Sequence, residues 1–123
     1  MKTSSELESL LGVNLPDDYK EFIDSTGYLA LGNISTEVYG YELGWSIDKY
    51  PCVVATTKLN KEIYQLKDNE IVISEPGYDT FLTVLNTKTG IVENVNCVGI
   101  RKKVANSFFD WLAKIKAEND AAA

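Results

Sequence analysis

Apolar and polar positions alternate with different periods along this chain, and the shifts of period mark out its elements. Leu7, Leu10 and Leu11 recur at helical spacing, with Ser4 or Ser5 placed to cap a first helix that ends at Leu11. Gly12 follows as a left-handed stop, and Pro16 opens a second helix whose Tyr19, Phe22 and Ile23 form one apolar stripe before Gly27. Asp17, Asp18 and Glu21 set negative charge near that helix's positive end, and Asp18 is positioned to reach back to the cap N–H. Beyond Gly27 the period shortens. Tyr28 to Leu31 is a brief apolar run, and Ile34 to Tyr41 reads as a strand with Ile34, Thr36, Val38 and Gly40 on one face and Ser35, Glu37, Tyr39 and Tyr41 on the other. Glu42 to Tyr50 has no period and reads as a loop around Trp45.

The run from Pro51 to about Tyr64 is ambiguous. Its V-V-A-T-T core favours a strand by propensity, while Val53, Val54, Thr57 and Leu59 or Lys61 trace a rough helical face with Asp48 as a local cap. Three strands follow: Glu70–Ser74, then Thr80–Leu85 after the turn Glu75-Pro76-Gly77, then Ile91–Val95 after a turn ending in Gly90. Near-continuous apolarity in Phe81–Leu85 predicts a central strand covered on both sides. Arg101-Lys102-Lys103 reads as a solvated turn ahead of the last helix. That helix carries Val104, Phe108, Trp111, Leu112 and Ile115 on one face, with Asn106 or Ser107 as cap, Val104 as a staple before it, and Lys114 and Lys116 near its negative end. The residues from about 119 to 123 read as a frayed tail.

Several of these segments resemble the SUKH superfamily, which includes yeast cell-wall-synthesis regulators and bacterial toxin-immunity proteins. A short capped helix and Gly12 precede L-P-x-x-Y-x-x-F at Leu15–Phe22. The middle carries strand, glycine turn, a long apolar strand ending Leu85-Asn86-Thr87, Gly90 and a further strand, and the chain closes on S-F-x-x-aromatic-L at Ser107–Leu112. Members often carry V-V-x-x-T as a helix, which favours helix over strand for the ambiguous run. Many then carry a basic residue near the position of Asn60 or Lys61, and the arginine expected there is missing here. The resemblance implies one α+β domain over residues 1–123: two N-terminal helices, a mainly antiparallel twisted sheet, a middle helix and a C-terminal helix on the sheet. It also implies a protein that binds and blocks a toxin domain by occlusion, without chemistry of its own. An intracellular regulatory scaffold and a small carboxylate-based enzyme are the competing functions.

Composition narrows the chemistry further. A length of 123 residues with 45% hydrophobic and 24% charged residues suits one soluble domain, and no apolar run approaches the roughly 18–20 residues of a membrane span. The N-terminus lacks the apolar core of a signal peptide, so a cytosolic location is expected, and Cys52 and Cys97 then read as buried free thiols. With no histidine at all, Ser/His/Asp and Cys/His nucleophilic systems and His-ligated metals are excluded, and no cofactor is expected. Eighteen acids against twelve bases give a net charge of −6, which disfavours nucleic acid and anionic membranes and favours a basic partner. In the family context that partner is a toxin, often a nuclease. The candidate docking residues are Glu37, Tyr39, Tyr41, Glu42, Trp45 and Asp48, joined by Glu75, Tyr78 and Asp79 if the two strands concerned are close in the sheet. This mixture of aromatic anchors and charged rim is what interfaces use. The plain alternative buries Trp45 and one tyrosine beneath the loop and leaves the acids to solvate it.

Overall fold

The computed structural model describes residues 2–75 and 81–123. Two helices come first, α1 (Thr3–Leu11) and α2 (Asp17–Ser25), followed by strand β1 (Leu29–Leu31), a 3₁₀ turn (Gly32–Ile34) and strand β2 (Thr36–Val38). Helix α3 (Val53–Asn60) precedes strands β3 (Glu70–Ser74), β4 (Phe81–Asn86), β5 (Val92–Asn96) and β6 (Arg101–Ala105), and α4 (Phe108–Ala121) ends the chain. Among the described residues the six strands form one antiparallel sheet in chain order, an α+β arrangement in which each strand lies beside its sequence neighbour.

Side chains opposite one another in an antiparallel ladder share a face. By register, Val38, Ser74, Thr83, Leu85, Ile71 and Val92 therefore lie on one face, and Val72, Leu82, Val84, Val95, Glu93 and Arg101 on the other. Helix α4 crosses the first face, where Trp111 and Ile115 border a groove floored by Thr36, Ser74, Thr83 and Asn94. Tyr19 and Phe22 of α2 meet Phe108 with ring centroids 4.9 and 5.2 Å apart, so the two strongest helical stripes in the sequence pack on each other. Strand β4 is buried from Leu82 to Leu85, as its apolarity predicts.

The helix ends are tied across the fold rather than locally. Ser4 caps nothing in its own helix: its N–H and hydroxyl donate to the Asp24 carboxylate at 2.9 and 2.8 Å. Pro16 is the residue before α2 rather than its first, and Asp18 accepts from the Phe109 N–H at 3.0 Å, serving the amino end of α4. Gly12 does take the left-handed conformation (φ 71°), and Ser107 caps α4 by accepting from the Asp110 N–H. Leu10 is exposed, whereas Leu7 is fully buried.

Helix α3 resolves the ambiguous run. Strand β2 pairs with β3 at Val38 and Ser74, and the rest of that edge of β3 is served by α3 instead. The Thr56 hydroxyl donates to the Val72 carbonyl, and the Val72 N–H donates to the Thr57 hydroxyl, both at 2.9 Å. The threonines that favour a strand by propensity thus act as side-chain substitutes for one. No side chain caps α3, which follows Cys52, so Asp48 is not its cap.

Five further expectations are corrected. The alternating run of 34–41 is a strand only at Thr36–Val38, because the 3₁₀ turn and the left-handed Ser35 (φ 50°) interrupt it. Arg101–Ala105 is not a turn but edge strand β6; Lys102 and Lys103 are exposed on it, as edge strands require. Val104 consequently sits in β6 rather than on the α4 stripe. Cys97 is exposed in the turn after β5, while Cys52 is buried. Finally, α4 continues to Ala121, held by Asn119, whose side chain and carbonyl accept from the Asn33 backbone N–H and side chain at 2.9 Å each.

Arg101 explains its own place in β6. Its guanidinium grips the Glu70 carboxylate through two contacts of 2.6 and 2.9 Å and reaches Glu93 at 3.3 Å, joining β3, β5 and β6 on the face opposite α4. Burial alone would raise the Glu70 carboxyl, but the Arg101 hydrogen bonds, the Lys67 N–H and the guanidinium charge outweigh it and hold it below the usual carboxylate range.

Candidate partner-binding surface

The candidate residues gather around β2 and the start of the chain beyond β3. Val38 faces Ser74 in the register, which brings Glu37 and Glu75, their sequence neighbours, to the same end of the β2–β3 pairing. The Ser74 hydroxyl donates to the Glu37 carbonyl at 2.7 Å and holds the two strands together at this point. The condition for joining the two candidate segments is met: β2 and β3 are neighbours.

Each carboxylate of this pair receives a tyrosine hydroxyl. Tyr28 donates to Glu37, which with burial and the carboxylate charge pushes the Tyr28 phenol up to about 12. Tyr39 donates to Glu75 at 3.3 Å; burial raises its phenol, and the charges of both Glu75 and Glu37 raise it further. Around these groups the rings meet edge to face. Tyr28 and Trp45 have centroids 6.1 Å apart, and Tyr39 and Tyr50 5.5 Å. The Tyr50 hydroxyl accepts from the Asn60 side chain at 3.2 Å, and Tyr64 lies within electrostatic reach of Glu75 and Cys97.

The candidates do not all serve as surface. Tyr39 and Tyr41 are buried, because the strand ends at Val38 and the alternation that would expose them stops there. Tyr39 also accepts, at its carbonyl, the Tyr19 hydroxyl at 2.8 Å, and so is tied to the core. The Tyr41 hydroxyl turns away to Glu6 of α1 at 2.7 Å, a bond that with burial and charge raises its phenol to about 12. Glu37, Glu42 and Asp48 are exposed, and Trp45 and Glu75 are half-buried. The Glu42 side chain lies close against Gly27. Tyr78 and Asp79 fall outside the described residues.

Tyr28, Tyr50 and Tyr64 were not legible as part of this surface. Each stands alone in sequence, and only the tertiary fold brings its ring to the carboxylates.

Among the described residues, Glu8, Asp17, Asp68, Glu70 and Glu93 have a lysine or arginine within 4.0 Å; Glu37, Glu42, Asp48 and Glu75 have none, as is true of most acids elsewhere on the surface. Residues 76–80 contain no basic side chain that could supply one to Glu75. No group of three or more His, Cys, Asp or Glu side chains among the described residues is placed to hold a metal ion, and no helix is long and apolar enough to cross a membrane. The surface can accept hydrogen bonds, attract cations and pack aromatic edges.

In comparison with known families, a family model for SUKH_5, described as SMI1-KNR4 cell-wall, matches residues 2–116. No curated protein matches the chain.

Proposed function

Because the chain belongs to the SMI1-KNR4 group of the SUKH superfamily, we propose that it is an immunity protein, acting in the cytosol without catalysis by occluding a basic toxin domain. The observation that supports this reading is the grouping of acids and aromatic rings around β2: Tyr28 and Tyr39 donate to Glu37 and Glu75, and Trp45 and Tyr50 meet those two tyrosines edge to face. Unpaired acids on a surface steer a cationic partner toward it, and aromatic rings beside them supply the desolvated centre of an interface. Tyr78 and Asp79 extend this proposal along the same segment. Tyr41 supports the surface only through α1, which makes it a framework residue.

The test is co-purification with toxin domains encoded beside the gene, using the pairs Glu37→Lys/Glu42→Lys and Glu75→Lys/Asp79→Lys. Both pairs should lose binding while keeping their circular dichroism. If both folded variants bind as tightly as the unmodified protein, with the same salt dependence, the docking face lies elsewhere.

A further inference from the structure

We propose that the outer edge of β6 is a docking site for an extended acidic segment of a partner protein, which pairs with it as a further strand of the sheet. This inference is independent of the immunity reading, since β6 closes the sheet at the end opposite β1 and β2. The hydrogen-bond pattern fixes which groups face outward. The Asn96 N–H donates to the Ile100 carbonyl at 3.0 Å, which makes these two residues a bonded pair of the β5–β6 hairpin. Bonded and non-bonded pairs alternate along an antiparallel ladder, so Asn94 and Lys102 form the next bonded pair. Arg101 and Lys103, opposite Val95 and Glu93, therefore turn their N–H and C=O groups away from β5. Among the described residues no other backbone or side chain bonds these four groups. The open run ends at Val104, whose carbonyl accepts from the Lys114 ammonium at 2.6 Å.

Charge selects the occupant. Lys102 and Lys103 are exposed on opposite faces of the strand, and among the described residues neither has a carboxylate within 4.0 Å. Arg101 is already spent on Glu70 and Glu93. A second copy joined through the same edge would set bases against bases, and like charges directly opposite in a sheet are destabilising. The lysines that guard this edge against self-pairing thus favour a strand of the opposite sign. An antiparallel strand places consecutive acids opposite Lys103 and Lys102, one on each face of the sheet. Two positions later it places a residue opposite Ile100, which is 66% exposed and shares a face with Lys102, so an apolar side chain suits that position. The segment therefore reads acid, acid, any residue, apolar. Its main-chain bonds to Arg101 and Lys103 supply affinity, and the two cross-strand ion pairs supply specificity.

The acetylated, amidated peptide Thr-Glu-Glu-Thr-Val-Thr, titrated into ¹⁵N-labelled protein at constant ionic strength, tests this. It should produce saturable shifts at the Arg101, Lys102 and Lys103 amides and slow hydrogen exchange at Arg101 and Lys103. Two control peptides separate the contributions. Thr-Lys-Lys-Thr-Val-Thr keeps the backbone and reverses the charge, and should not bind. The acidic peptide with N-methyl groups on its first Glu and on the Thr before Val keeps the charge and loses the donors that pair, and should bind at least about tenfold more weakly. Lys102→Glu/Lys103→Glu should weaken the acidic peptide by about tenfold or more, with Lys102→Gln/Lys103→Gln giving the same direction if the reversed variant fails to fold. Absence of saturable shifts, shifts spread over all lysines, or equal binding of the N-methylated peptide overturns the proposal. Self-association of the unmodified protein that protects the same amides without peptide also overturns it, by assigning the edge to a second copy.

Discussion

Truncating Arg101 is the sharpest test of how the sheet is held. The Glu70 side chain is 1% exposed and Arg101 24%, with contacts of 2.6 and 2.9 Å. Removing one partner of a buried pair costs about 3–5 kcal/mol, because the remaining charge is left without solvent or counter-ion. The Lys67 N–H still reaches Glu70 at 2.8 Å, and the vacated guanidinium position borders water. Both push Arg101→Ala toward the lower end, about 3 kcal/mol. Urea denaturation followed by tryptophan fluorescence reads this directly, since Trp111 is buried in the core and Trp45 lies in the loop after β2. The pH dependence gives the decisive signature. In the intact protein the Glu70 pKa is depressed, so its contribution is present above the unfolded value of about 4.3 and is lost as pH falls through the folded value. In Arg101→Ala only Lys67 still opposes burial, the largest influence on this carboxyl, so the pKa rises and the variant gains stability as pH falls from the raised value toward about 4.3. The difference between the two proteins should be full at pH 7 and shrink below pH 5. Adding Glu70→Gln to Arg101→Ala should recover part of the loss at pH 7. A loss under about 1 kcal/mol, or one that does not change with pH, would refute the account.

Two further substitutions probe other parts of the frame. Trp111→Ala should cost about 3–5 kcal/mol in the same assay, the usual cost of truncating a core aromatic, and leave partner binding intact once the fold is restored by lower temperature. Thr56→Val removes the hydroxyl that serves the Val72 carbonyl and should cost about 1–3 kcal/mol, with faster amide exchange in β3 as the local readout.

Much of the helical architecture was written in short-range pattern. The α2 and α4 stripes, Gly12 and the run of β3, β4 and β5 depend on neighbours three or four residues apart, or on a turn of a few residues, and the structure agrees with them. What escaped depended on distant partners. Nothing local distinguishes the lysines of β6 from those of a solvated turn; the strand exists because Arg101 meets Glu70, 31 positions earlier, and because β5 offers an edge. The expected caps of α1 and α2 failed for the same reason, since Ser4 and Asp18 serve partners 20 and 91 residues away, whereas the local cap Ser107 held. At the candidate surface, the acids were visible as composition, but the approach of Glu37 and Glu75 arises from a pairing that spans the whole of the loop and α3. The burial of Tyr39 and Tyr41 followed from where β2 stops, which alternation alone does not mark.

The segment between Gly40 and Cys52 is held at its neck by backbone alone. Gly40 and Cys52 form a bridge, the Val53 N–H donates to the Gly40 carbonyl at 2.8 Å, and the Tyr41 N–H donates to the Gly27 carbonyl at 3.0 Å. A side chain at Gly40 would put its first carbon 1.6 Å from the Gly27 oxygen, so the crossing admits only glycine there. None of these neck contacts uses a side chain from positions 42–50, where Glu42, Trp45 and Asp48 lie. The loop is mounted like a cassette: the side chains of positions 42–50 can be exchanged without touching the backbone clasp that holds it.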